Sequence, residues 1–449
     1  MTEIKSAALE LGTERIRKLL VQYAVPAIIA MTASSLYNMV DSIFIGHGVG
    51  PLAISGLALT FPLMNLAAAF GSLVGVGAAT LISMRLGQKD YPSAQYILGN
   101  VVVLNFIIGL GFGLVTLLFL DPILYFFGAS EATIGYARDY MSIILMGNVV
   151  THMYLGLNSV LRSAGHPRKS MYATINTVVI NTILDPLFIF GFGWGIRGAA
   201  IATVVGQCVA AVITGISGFR RPPRPVVMRK YVRQIYRLGY PSIFMQMLYT
   251  VYIMALNMIL AGFSDDAVTV LGLYYKLQSF FFIPLNGLQT CIVPILSYNF
   301  ACLAYDRCKR ILYDSCGISL VFMLVGVVSF ECIPGRLIGL FSQDPAVLAI
   351  GVPAFRIIGL SFIPAVLSLM PPVFFQAIGA AGPSLLLSVV RQICCLIPLF
   401  WIFSKISLEA TWFAYPLSEV ITGSLGVAFY LRQLQRWRRE APMAGPTVR

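Results

Sequence analysis

Long apolar runs separated by short polar stretches set the pattern of the chain. A helix that crosses a bilayer needs about 20 mostly apolar residues, and twelve runs of that kind can be marked. They are Leu19–Gly46, Leu52–Met84, Tyr96–Phe119, Tyr140–Leu161, Ser170–Phe192 and Ala199–Phe219, then Leu238–Gly262, Ala267–Phe300, Ile311–Ile333, Val352–Ile378, Leu385–Phe403 and Ala410–Leu431. The pattern predicts an all-α polytopic membrane protein with twelve transmembrane helices. Composition agrees: of 449 residues, 58% are apolar or aromatic and 11% charged. A soluble domain carries about 25% charged residues, so this chain cannot cover a water-facing surface. The net charge of +13 would suggest a nucleic-acid partner in a soluble protein. Here the basic residues lie between apolar runs, which points to a lipid bilayer and not to nucleic acid.

Those basic residues also orient the spans, because cytoplasmic loops collect Lys and Arg. Of the 31, 24 lie in the N-terminal tail, in the loops after spans two, four, six and eight, and in the C-terminal tail. Both termini are therefore expected in the cytoplasm, which requires an even number of spans. The polar stretch Met1–Lys18 and the long first run do not form a signal-peptide pattern. The eight Cys, from Cys208 onward, contain no CxxC pair, so neither a disulfide framework nor a metal site follows from them.

The sequence also repeats. Pro26 in QYAVPAIIAM aligns with Pro241 in RLGYPSIFMQ, Gly56 and Gly71 with Gly272 and Gly287, Gly165 with Gly382, and Pro186 with Pro398. A six-span unit thus occurs twice. Six is even, so both copies face the same way and a pseudo-two-fold axis runs along the membrane normal, as in parallel-repeat transporters. The expected organisation is a six-helix lobe over 1–218, a basic cytoplasmic linker over 219–237, a second six-helix lobe over 238–431 and a basic tail over 432–449.

An ionised group at the bilayer centre costs about 2.5–3.5 kcal/mol on insertion scales, which makes the intramembrane polar residues the functional candidates. The first half places Asp41 in span one and Asp185 in span five; the repeat puts Leu256 and Ile397 at the equivalent positions. Packing does not explain that asymmetry. Thr177, Asn181 and Asp185, spaced i, i+4, i+8, form one stripe of a helix. Pro186 follows and loosens the backbone ladder beside the carboxylate, and Thr203 in span six adds a hydroxyl. Two carboxylates, an amide and a hydroxyl suit Na⁺; the same two desolvated, mutually repelling carboxylates could instead carry a proton. Tyr37 and Tyr140 are candidate donors to the pair. In the second half, Lys276 is expected to snorkel to the surface, and Arg391 is an intramembrane cation. Glu419 near the middle of span twelve is a second-lobe candidate. Span seven offers Met245, Met247, Met254 and Met258 with Gln246, Tyr249 and Asn257, a soft polarizable set suited to a promiscuous pocket.

Other chemistries lack their motifs. There is no HExxH and no P-loop, so ATP-driven transport would need a partner chain. The three His are scattered, and Asp185 sits in ILDP, not in the GxGD setting of an intramembrane aspartyl protease. No catalytic group or cofactor is expected.

Four stretches carry a resemblance over nearly the whole chain: Ser35–Gly46, Gly75–Asp90, Leu161–Met171 and Asn181–Gln207. Together with the repeat they make the sequence similar to the multidrug and toxic compound extrusion (MATE) transporters, above all the bacterial DinF-like branch and its MepA-like exporters. The resemblance implies two six-helix lobes around a central cavity of alternating access. It also implies export of organic cations and amphipathic compounds across the bacterial cytoplasmic membrane, in antiport with Na⁺ or H⁺, by a chain working as a monomer. Asp41, Asn181, Asp185 and Thr203 match the branch's cation-site pattern, with Tyr140 joining it. Tyr249 stands where the NorM-like branch has a glutamate, which implies coupling through the first lobe. The competing expectation is a flippase for a lipid-linked or other amphipathic lipid, which shares the alternating-lobe plan.

Overall fold

The computed structural model describes residues 9–218 and 229–440. Ordered secondary structure there is helical, as backbone groups in hydrocarbon must be satisfied within their own segment. The first compact unit runs to Gln246. Its helices are α1 (Ile16–Gly48), α2 (Pro51–Gly87), α3 (Tyr91–Leu118), the short α4 (Leu120–Phe126), α5 (Ile134–Met146), α6 (Asn148–Ser163), α7 (Pro167–Pro186) and α8 (Gly195–Gly218). The unit boundary falls inside α9 (Arg229–Ala261). Beyond it come α10 (Asp265–Phe281), α11 (Ile283–Ala301), α12 (Tyr305–Cys332), α13 (Pro334–Gly339), α14 (Pro345–Gly359), α15 (Phe362–Ala377), α16 (Ala381–Val389), α17 (Ile397–Ser404), α18 (Leu408–Trp412) and α19 (Ala414–Glu440).

Among the described residues, eight helical segments are long and apolar enough to cross a membrane. Three further spans are bent pairs: α5 with α6 at 57°, α10 with α11 at 51° and α14 with α15 at 55°. The 27-residue α19 completes the twelve expected runs; it ends in an Arg-rich segment and is the least apolar of them. The apolar pattern hid the bends, since a run reads the same whether straight or broken. Proline at the second position of α11, which has no N–H to continue the ladder, accompanies one of them.

Two differences from the sequence reading concern boundaries. Residues 219–228 of the expected linker lie outside the described residues, whereas 229–237 are the opening turns of α9. Likewise 432–440 of the expected tail continue α19.

Within the first unit, α1 lies along α7, α7 along α8, and α6 against α2 and α3. A core of Ile45, Leu57, Leu124, Met141, Ile144 and Ile189 joins α1, α2, α4, α5 and the segment after α7. That segment, Leu187–Gly191, is a π turn. Pro186 cannot donate to the carbonyl four residues back, and the ladder shifts register there; π turns of this kind gather at functional sites. The equivalent span of the second repeat has its own π turn over Val390–Leu396, between α16 and α17.

Candidate functional site

α1, α7 and α8 bring Asp41, Asn181, Asp185 and Thr203 together, and all four side chains are buried. The helical stripe delivers Asn181 and Asp185 to one face of α7, and α1 supplies Asp41 opposite. The two carboxyl groups lie within each other's electrostatic reach, and among the described residues no Lys or Arg bears on them. Among the described residues, Asp41 Oδ1, Asn181 Oδ1 and both oxygens of Asp185 have no hydrogen-bond partner. Four buried oxygens left unsatisfied are costly, and they form a hard-donor set open to a small cation or to protons.

The neighbouring hydroxyls are arranged in order. Thr203 donates to the Ala199 carbonyl at 3.0 Å, so Tyr37, whose hydroxyl is 3.3 Å from Thr203 Oγ1, is the donor in that contact. Tyr140 is buried beside Thr203 and within reach of both carboxylates. Thr177 donates to the Ala173 carbonyl at 3.0 Å, which leaves its oxygen free to accept. Pro26 lies buried inside α1, and Pro186 closes α7 directly after Asp185.

A cavity of about 210 Å³ opens onto the site, with Tyr37, Asp41, Tyr140, Thr177, Asn181 and Thr203 on its walls. The sequence reading missed Tyr154, Thr174 and Gln207, which line the same cavity. Tyr154 bonds Thr174 at 2.8 Å, and Thr151 donates to Gln207. Thr174 continues the polar stripe of α7 back from Thr177, and Gln207 lies one turn after Thr203, so helical spacing was the available signal.

The second-lobe candidates fare differently. Glu419, the second-lobe candidate for a substrate cavity, is buried and bound to Arg391. Nothing in the linear sequence marks that pairing, because it crosses between helices. Lys276 is exposed, with its ammonium 5.8 Å from the centre of the Phe341 ring. On α9, Tyr249 and Met254 are exposed, and Gln246 and Asn257 are half-buried. Tyr249 packs edge-on against Tyr252 and Tyr275.

A bundle of helices long and apolar enough to span a membrane, with two buried carboxyl groups side by side in its first half, defines a polytopic membrane protein. Comparison with known proteins narrows that class. The MatE family model matches residues 26–187 and again 241–402, and this chain belongs to the MatE family. The two matches are of equal length and start 215 residues apart, which is the duplication read from the sequence.

Among relatives, the Multidrug export protein MepA of Staphylococcus saprophyticus is 27% identical over 85% of this chain and 86% of its own length. Among solved structures, a multidrug resistance MATE family transporter in an outward-facing conformation superposes with a TM-score of 0.89. It is 21% identical and covers 96% of this chain and 98% of its own. A MOP superfamily transporter from Pyrococcus furiosus, described as having a binding pocket of reverse polarity, matches with the same score, identity and coverage. At that identity the likeness speaks for the fold, the twelve-helix, two-lobe architecture. The protein is a multi-pass membrane transporter and not an enzyme.

Proposed function

We propose that the chain exports organic cations and amphipathic drugs by alternating access, in antiport with Na⁺ or H⁺ held at Asp41, Asn181, Asp185 and Thr203. The observation that carries this reading is the carboxylate pair: among the described residues, two buried acids with three unpaired oxygens and no cationic side chain acting on them. Burying two charges of one sign side by side is costly, so the pair favours uptake of a proton or a small cation, and a transporter can use that preference. Ion binding there changes the charge of the α1–α7–α8 centre. Coupling follows if the ion and the drug prefer different states of the molecule, since a ligand shifts an equilibrium only through its differential affinity. The MepA relative's name supplies the substrate class. The bacterial cytoplasmic membrane, cytoplasmic termini and a monomeric working unit of two six-helix lobes complete the proposal.

The test is ethidium efflux from liposomes containing the purified protein, with Na⁺ and proton gradients imposed separately. One gradient should accelerate efflux, and Asp41→Asn should remove that acceleration while leaving the protein folded. Full gradient-driven efflux by Asp41→Asn would falsify the coupling role. Absence of drug transport under both gradients would shift the reading to an amphipathic-lipid substrate.

A further inference from the structure

The second unit contains a buried charge centre of its own. Arg391, in the π turn between α16 and α17, donates from Nε to Oε1 and Oε2 of Glu419 on α19 at 3.0 and 3.1 Å. Its Nη2 donates to Oε1 at 2.5 Å. Ser368 on α15 donates to Oε2, and Ser418 donates to the Arg391 carbonyl at 3.3 Å. The two charged side chains are only 15% and 8% exposed. Facing them are the phenols of Tyr252, Tyr274 and Tyr415, which bring hydroxyls but no charge.

The two centres therefore solve one electrostatic problem in opposite ways. In the first unit, two neighbouring acids have three of their four oxygens without a hydrogen-bond partner among the described residues. In the second, one acid has both oxygens occupied by a guanidinium and a hydroxyl, and the net charge is zero. Arginine matters here, because it does not give up its proton in proteins. A lysine in a buried site shifts its titration readily; a guanidinium remains a fixed cation through every state of the cycle.

We propose that Arg391 is a tethered counter-cation. It holds, from within the chain, the place beside Glu419 that an exchangeable ion takes beside Asp41 and Asp185. The second unit consequently takes up no coupling ion, and Arg391 sets how many ions are exchanged per drug. The inference rests on the coupling role proposed for the first-unit acids. It makes an unusual demand: removing Arg391 should create ion dependence where there was none. The freed Glu419, buried and uncompensated, would recruit Na⁺ or a proton.

The experiment compares the wild type with Arg391→Met, Arg391→Lys and the neutral double variant Arg391→Met/Glu419→Gln in liposomes. It reads the ions moved per ethidium from the steady accumulation ratio at known gradients. The wild type and the double variant should share one ratio, and Arg391→Met should show a larger one. In an Asp41→Asn background, thermal unfolding of Arg391→Met should shift with Na⁺ concentration or pH by several degrees. The shift should vanish when Glu419→Gln is added, and Arg391→Lys should show at most a pH-dependent part of it. A lower ratio in the double variant would mean that the pair itself exchanges an ion and would overturn the proposal. So would Arg391→Met with no added ion dependence. If Arg391→Met does not fold, the double variant decides alone, because a neutral replacement of a buried ion pair is commonly tolerated. Retained coupling in Asp41→Asn would instead count against the first-unit reading, and the ion-dependent unfolding in that background would still report on Glu419.

Discussion

Gly206 has no side chain because Asn181 occupies the space. A Cβ built on it would lie 2.3 Å from Asn181 Oδ1, so a side chain at this position would displace the amide from the site to which α7 and α8 bring Asn181 and Thr203. Gly206→Ala should push the amide aside. Overpacking of this kind costs about 1–3 kcal/mol. We expect the ion concentration giving half-maximal stimulation of efflux to rise about tenfold, with export at saturating ion largely kept. An ion titration beside a thermal melt checks both; an unchanged titration would remove Asn181 from the site. At this scale the sequence was informative wherever periodicity does the placing. Asn181 and Asp185 lie one helical turn apart, so their common face could be read directly. Gly206 could not be read that way, because its importance arises from a neighbour on another helix. The same holds for Glu419: its character as an acid was visible, and its captivity by Arg391 was not.

Helix ends and breaks form the next level. Asp90 caps α3 by accepting from the Ser93 N–H at 3.3 Å. The Ser93 side chain, that same N–H and, more weakly, Arg85 hold the Asp90 carboxyl below its usual range. A depressed carboxyl contributes stability that is present above the ordinary carboxylate value and is lost as pH falls through the lowered one. Asp90→Ala should therefore cost about 1 kcal/mol near neutrality, and the deficit should shrink in acid. Melts of the two proteins at neutral and acid pH would show it; a deficit that persists after protonation would assign the loss to packing instead. The elements themselves were legible, with twelve apolar runs recovered as helices or as bent pairs. The bends, the π turns and the helical end of the expected linker, over 229–237, were not. Each depends on where a hydrogen-bond ladder changes register, and apolar content does not record that.

Across the whole molecule, the repeat in the sequence and the division in the structure fall at different places. The second copy begins near the match at 241, yet the first unit extends to Gln246. The opening of α9 is bound to that unit backbone against backbone. A Cβ on Gly239 would stand 1.8 Å from the Leu73 carbonyl oxygen, and one on Gly77 would stand 2.2 Å from the Ile235 carbonyl oxygen. Tyr231 adds a hydrogen bond to Ser93 at 3.0 Å and stacks on Tyr96. Neither glycine has room for a side chain. Gly239→Val should lower the yield of monodisperse protein severalfold, as read by fluorescence-detected size-exclusion chromatography. Wild-type yield and melting would show that α9 is not held there.

This seam also bears on how such a chain could be cut or inherited. A gene divided in the loop between spans six and seven would give a first product with the groove along Leu73 and Gly77 uncovered, and a second product carrying the helix that belongs there. The halves are alike in sequence but not interchangeable as parts. In the protein as it stands, the first copy depends on the beginning of the second.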